Sequence, residues 1–201
     1  YTLNIDDRDR IRLLLDEVNT QDIDFSWFLT LDYYFKMDKE DRLIEDNGHL
    51  IYVMQRFFKS RMRMFFFNEK HKSGGFHRHI LLEDIPESRW LNPHPQMQKW
   101  MSESDPEMIF CCLTGILPTV HQRKRFIKRV IKSLHHSTPN GFLGMNLVPI
   151  HNLEGLLSYC TKQNHHNIPH HYVIDTKNSS GLDDDFIRRL HSHVRKQIVS
   201  C

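Results

Sequence analysis

The chain has 201 residues and a mass of 24.2 kDa, with 39% hydrophobic and 26% charged residues. That suffices for one domain with a substantial core, and it excludes a disordered or membrane-embedded chain. The formal charge of +2 is too small for global electrostatics alone to nominate a nucleic-acid binder, so the 15 histidines are the unusual feature.

The opening Asp6, Asp7, Arg8, Asp9 and Arg10 do not read as a signal peptide, and a chain that begins at Tyr is expected to be trimmed from a longer one. Asp6 to Val18 spaces Ile11, Leu14, Leu15 and Val18 for a helix. Phe25 to Tyr34 is rich in aromatics and predicts a strand. From Arg42 to Phe58, residues Leu50, Val53, Met54, Phe57 and Phe58 form one apolar helical face, with Gly48 weakening its start. Met62 to Glu69 and Phe76 to Glu83 predict two strands. The polar loop between them, Lys70-His-Lys-Ser-Gly-Gly75, carries the glycines a hairpin turn requires.

Pro86 to Pro118 is interrupted by prolines and is expected to hold short helices or an insertion. The longest apolar stretch, Met108 to Val120, overlaps its end, contains Gly115 and Pro118 and is too short to cross a bilayer. His121 to His136 predicts a basic helix, with Arg123, Lys124, Arg125, Lys128, Arg129 and Lys132 around an apolar stripe, ended by Pro139-Asn-Gly141. Met145 to Ile150 predicts a strand, and Asn152 caps a helix from Leu153 to Gln163. A last helix is expected over about 183–198, acidic at its start and basic at its end, as the helix dipole favours. The four cysteines, Cys111, Cys112, Cys160 and Cys201, form no C-x-x-C pair and read as reduced thiols of a cytosolic-type compartment.

His77-Arg-His79 is the first chemical signal. Side chains alternate along a strand, so two imidazoles two residues apart share one face and make half of a divalent-metal site. The hairpin brings Glu69 alongside as the anionic ligand, and His71 in the loop is a less well placed substitute. Two imidazoles and a carboxylate leave open positions and suit Mg²⁺ or Mn²⁺ acting on a phosphate. An H-x-H pair in a histidine-rich chain also occurs as two exposed polar residues, so Glu69 is what adds weight.

Tyr159-Cys-Thr-Lys162 is the second. On a helix the spacing i, i+3 makes the phenol and the ammonium neighbours. A phenol with a pKa near ~10 is a weak nucleophile until a cation or a metal-bound phosphate helps it. Alone, Y-x-x-K is a common accident of helices. Its weight comes from the histidines.

Together these segments resemble the HUH endonucleases, in particular rolling-circle replication initiator (Rep) domains with a single catalytic tyrosine. Phe28-Leu-Thr-Leu31 is similar to the family's first motif. Glu69 with Phe76-His-Arg-His-Ile-Leu-Leu-Glu83 is similar to the metal-binding motif. Val148 to Lys162 is similar to the tyrosine motif. The resemblance covers about residues 25–163 of one domain spanning 1–201, with residues 86–138 as a possible insertion. It implies an α+β fold with a central antiparallel sheet of about five strands flanked by helices. It also implies that Tyr159, assisted by Lys162 and a metal on His77, His79 and Glu69, nicks and rejoins single-stranded or hairpin DNA through a covalent 5′-phosphotyrosine. A replication role implies a helicase domain or partner, and a cytoplasmic or, for a eukaryotic virus, nuclear location. One position departs from the pattern. Arg78 stands between the histidines where the family has an apolar residue, so either that strand is partly uncovered or Arg78 reaches an acidic partner.

Lys70, Lys72, Arg123, Lys124 and Arg125 are candidate contacts to the DNA backbone, and Phe25, Trp27 and Tyr33 are candidates for base stacking if exposed. His135, His136, His165, His166, His170 and His171 fit no structural zinc spacing. Alternative functions are a relaxase or transposase on the same fold, a non-catalytic nucleic-acid-binding module, or a metal-dependent phosphohydrolase that uses water.

Overall fold

A computed structural model of the chain describes Asp16 and residues 23–33, 40–70, 76–135, 142–162 and 173–174. The chain is α+β, an antiparallel sheet flanked by helices. Four long strands carry the sheet: β1 (Phe25–Tyr33), β2 (Met64–Lys70), β3 (Phe76–Glu83) and β4 (Phe142–Pro149). They stand in the order β4-β1-β3-β2, and a two-residue β5 (Val173–Ile174) pairs with the outer edge of β2. The β2–β3 hairpin predicted from sequence is present, paired from Met64↔Leu82 to Lys70↔Phe76. Its loop, residues 71–75 with His71 and Lys72, lies outside the described residues, as do the expected helix at 183–198 and all but Asp16 of the one at 6–18.

Strand alternation sorts the sheet into two faces. Trp27, Leu29 and Leu31 of β1, Met64 and Phe66 of β2, Ile80 and Leu82 of β3, and Leu147 of β4 point into the main core. On this side lie α1 (Glu40–Phe58) and α5 (Val120–His135), which bring Leu50, Met54, Phe57 and Phe58, and Phe126, Ile127, Val130 and Ile131. Between β3 and α5 the proline-rich segment forms three short helices, α2 (Glu87–Leu91), α3 (Pro95–Ser104) and α4 (Pro106–Leu113). Their Trp90, Met97, Met101 and Met108 are fully buried in the same cluster. Trp90 packs near Phe58 and Phe126, with ring centroids 6.0 Å away in both cases. Residues 86–135 therefore supply part of the core rather than hanging from it. The prolines act as helix starts: Pro95 and Pro106 each open a helix, where a missing N–H costs nothing. Asp105 caps α4 by accepting from the Met108 amide, and Gly115 ends it at φ 75, a conformation that disfavours a Cβ.

Arg78 faces this helical side and is 0% exposed. Its Nη1 donates to Asp46 Oδ2 on α1 at 2.9 Å, an ion pair with both side chains buried. Of the two outcomes expected for this position, the acidic partner is the one found. Phe25 and Trp27 are buried as well, with Trp27 Nε1 donating to Asp84 Oδ1 at 3.0 Å, so neither is presented for stacking on a base. The side chain of Tyr33 lies outside the described residues.

No described helix is long and apolar enough to cross a membrane. Cys111 and Cys112 are both free thiols. Burial, reinforced by the neighbouring Cys111, pushes the Cys112 thiol up to about 11, so it stays protonated at neutral pH. With Cys160 and Cys201 replaced by serine, a thiolate-selective reagent is expected to label the half-exposed Cys111 and leave Cys112 unmodified until the chain is denatured. Mass spectrometry of the peptide carrying both cysteines reads the result.

Candidate active site

The opposite face of the sheet carries the candidate site residues. Arg78 and Ile80 point into the helical core, so position 79 between them faces away from it, and position 77 shares its parity. In register, Glu69 of β2 is the direct partner of His77, and Thr30 of β1 is the direct partner of His79. The backbone thus places Glu69 beside His77 as the hairpin predicts. Direct partners in an antiparallel pair have Cβ atoms about 4.5–5.5 Å apart, a spacing from which side chains can share a ligand.

His79 is the best defined of these residues. It is only 6% exposed, and two neighbours on β1 fix its ring. Phe28 stacks on it with centroids 5.2 Å apart and planes inclined by 15°. Thr30 Oγ1 lies 3.0 Å from its Nδ1, within hydrogen-bond distance. His79 is thus not a solvated surface residue. A metal-ligating histidine needs such an anchor on the nitrogen that does not bind the ion. The side chains of His77 and Glu69 lie outside the described residues, so what the structure gives of this candidate donor set is its register, two imidazole positions with a carboxylate position beside them.

A further acid was not singled out from the sequence. Asp32 of β1 is the register partner of His77 on the side away from Glu69. It is exposed, and its β4 partner is Gly144; a Cβ there would stand 3.2 Å from Asp32 Oδ2, so glycine leaves this carboxylate its space. Two acids therefore bracket position 77. The signal was available: Asp32 lies one residue past Phe28-Leu-Thr-Leu31, at the alternation parity of Thr30, but finding it required the β1–β3 register.

Tyr159 and Lys162 lie on α6 (Leu153–Lys162), which follows β4 directly. Asn152 starts this helix as expected, its Oδ1 accepting from the Gly155 amide at 2.9 Å. The side chains of Tyr159 and Lys162 lie outside the described residues. Two residues before Tyr159, Leu157 is 1% exposed yet stands outside the cluster on the helical side of the sheet.

The predicted DNA contacts divide between the two sides. Lys70 ends β2 on the hairpin that carries Glu69, and Lys72 is in the undescribed loop. Arg123, Lys124 and Arg125 lie on α5, in the helical layer behind the sheet as seen from His79. Arg123 pairs with Asp84 and Arg125 with Asp105, so both guanidinium groups are engaged within the protein. Lys124 is half-buried. The structure does not bring α5 together with the histidines.

Comparison of the chain with known protein families, with curated proteins and with solved structures finds no match.

Proposed function

We propose that this protein is a metal-dependent, single-tyrosine DNA endonuclease of the HUH type that nicks and rejoins single-stranded or hairpin DNA. The observation that carries this reading is the β1–β3–β2 register. It sets Glu69 beside His77, and His79 on the same face, held by Thr30 and Phe28. His77, His79 and Glu69 would hold Mg²⁺ or Mn²⁺, with Asp32 a second carboxylate in reach of the same site. When bound, the cation polarises a phosphoryl oxygen of the scissile phosphate.

The chain's own residues do the rest. The Tyr159 oxygen attacks phosphorus while the phenol proton passes to solvent. The bond to the 3′ oxygen breaks, and that oxygen takes up a proton to become a free 3′-OH. The 5′ phosphate stays on Tyr159 as a phosphodiester, so the reverse step rejoins strands without another energy source. Lys162, one helical turn on, stabilises the phenolate and the charge that builds on phosphate.

The placement of α6 is supported by packing. Phe28, Phe65 and Leu81 are buried on the histidine face, outside the helical-side cluster, and Leu157 of α6 is a buried apolar residue likewise outside it. Apolar groups on that face require a cover, and in this reading α6 supplies it and turns Tyr159 toward the cation. A role at a replication origin, with a helicase domain or partner, follows from the resemblance to Rep domains; relaxase and transposase roles use the same step.

His77→Ala and His79→Ala are each expected to lower Mn²⁺-dependent nicking of an origin-like single-stranded oligonucleotide by ~10²-fold or more, while binding of that oligonucleotide in a mobility-shift assay persists. Wild-type nicking rates in both variants would exclude this metal site. DNA binding with no cleavage by the wild type in any divalent metal would favour a non-catalytic binding module.

A further inference from the structure

Between Asp46 and Glu69 the chain carries no acid and four cations, Arg56, Lys59, Arg61 and Arg63. Arg63 is paired with Glu83, its Nη2 2.6 Å from Oε1. The other three stand exposed at the corner where α1 ends and β2 begins, and among the described residues none of them meets a carboxylate. One turn before Arg56, Tyr52 is 54% exposed. Its hydroxyl accepts from Arg56 Nη1, and the guanidinium carbon lies 5.6 Å from its ring centroid. The arginines of α5 differ, since Arg123, Arg125 and Arg129 are all tied to acids.

Lys59 adds a second observation. Its φ of 48 is left-handed, and among the described residues no other residue except a glycine has a positive φ. It follows the last residue of α1, and the Ser60 amide donates back to the Gln55 carbonyl at 3.3 Å, the bond that closes a helix through a left-handed residue. Glycine is the usual occupant of that position because it has no Cβ to strain. The helix dipole accounts for Arg56 in the last turn, but not for a lysine kept in a conformation that costs stability.

We infer that Arg56, Lys59 and Arg61 form a phosphate-binding corner, separate from the proposed cation site, that grips DNA extending beyond that site; the inference rests on the reading of DNA as the substrate. An uncompensated cluster of cations favours a polyanion, and the guanidinium fork of Arg56, oriented by Tyr52, suits phosphate oxygens. Met64 opens β2 five residues before Glu69, so the corner lies about 17 Å along the strand from the candidate metal positions. Contacts at that distance hold flanking nucleotides rather than the scissile one, and they supply affinity without reading sequence.

Fluorescence anisotropy with a long single-stranded oligonucleotide of mixed sequence, repeated across a range of KCl concentrations, tests this. Each phosphate contact to a single strand contributes about 0.7 to the slope of log affinity against log salt. Arg56→Gln, Lys59→Gln and Arg61→Gln together are expected to lower that slope by about 2 and to weaken binding at low salt ~10-fold or more. The same loss of charge at Lys99 of α3 with Lys128 and Lys132 of α5 should leave the slope unchanged. Lys59→Gln and Lys59→Gly should each lower the slope by about 0.7. Only Lys59→Gly, which also relieves the left-handed backbone, should raise the unfolding midpoint.

An unchanged slope in the triple corner variant, or an equal fall when Lys99, Lys128 and Lys132 are neutralised, overturns the inference. Wild-type nicking in either case leaves the proposed function standing without it. A polyglutamate peptide that binds more tightly than the oligonucleotide, and is released by the triple variant, would assign the corner to an acidic protein and overturn the inference as well. A wild type that binds no DNA at low salt removes the corner and the proposed function together, whereas DNA binding through the corner with no nicking upholds the corner alone.

Discussion

Asp46→Ala is expected to destabilise the fold by about 3–5 kcal/mol, enough to consume much of the stability of an ordinary domain. The reason lies in what is left behind. Arg78 is 0% exposed, inserted from the central strand β3 toward α1, with Asp46 Oδ2 accepting from its Nη1 at 2.9 Å. Guanidinium stays protonated at any practical pH, so the cation cannot escape its burial by losing a proton. Truncating Asp46 takes away a buried carboxylate that offsets this charge. Replacing both, as Asp46→Leu with Arg78→Met, removes both desolvation costs and fills similar volume with apolar atoms. The double variant is expected to recover most of the loss. Urea unfolding followed by tryptophan fluorescence measures all three chains. A loss below about 1 kcal/mol in Asp46→Ala, or a double variant no more stable than the single one, would contradict this account.

The same pair shows where the sequence was legible and where it stopped. Arg78 is anomalous from sequence alone, because it alternates with two histidines and therefore faces the covered side of the sheet. Two outcomes were open. Choosing between them needed the position of Asp46, 32 residues earlier on a helix, which no local pattern encodes. The elements themselves were readable wherever periodicity was strong. The β2–β3 hairpin, the α1 and α5 faces and the Asn152 cap all follow from spacing and residue type.

Long-range register was not readable. It is what sets Thr30 beside His79 and Asp32 beside His77, and it turned a strand motif into part of the candidate site. Nor was the use of the basic helix α5 readable. Its six cations surround an apolar stripe, and it is tertiary packing that sets the helix behind the sheet and pairs Arg123, Arg125 and Arg129 with Asp84, Asp105 and Glu103. The proline-rich segment holds the short helices expected of it, and only their place in the core was not legible. Prolines mark breaks, but at the first turn of a helix they also mark beginnings, and here they open helices that complete the core.

Tyr159→Phe is the other substitution with a large expected effect. It deletes one oxygen and leaves the ring, so α6 and the metal site should be undisturbed, and DNA binding and Mn²⁺ affinity should match the wild type. Nicking should nevertheless fall by at least about 10³-fold, because no other group on the chain is proposed to make the bond to phosphorus. Lys162→Ala should be milder, since it removes charge stabilisation and leaves the nucleophile. The most direct measurement is to incubate the protein with an origin-like single-stranded oligonucleotide and Mn²⁺, run a denaturing gel, and map any protein–DNA adduct by mass spectrometry. The expected result is an adduct through a 5′-phosphate on Tyr159 in the wild type and none in Tyr159→Phe. Cleavage that persists in Tyr159→Phe, or an adduct mapped to a different residue, would contradict the proposal.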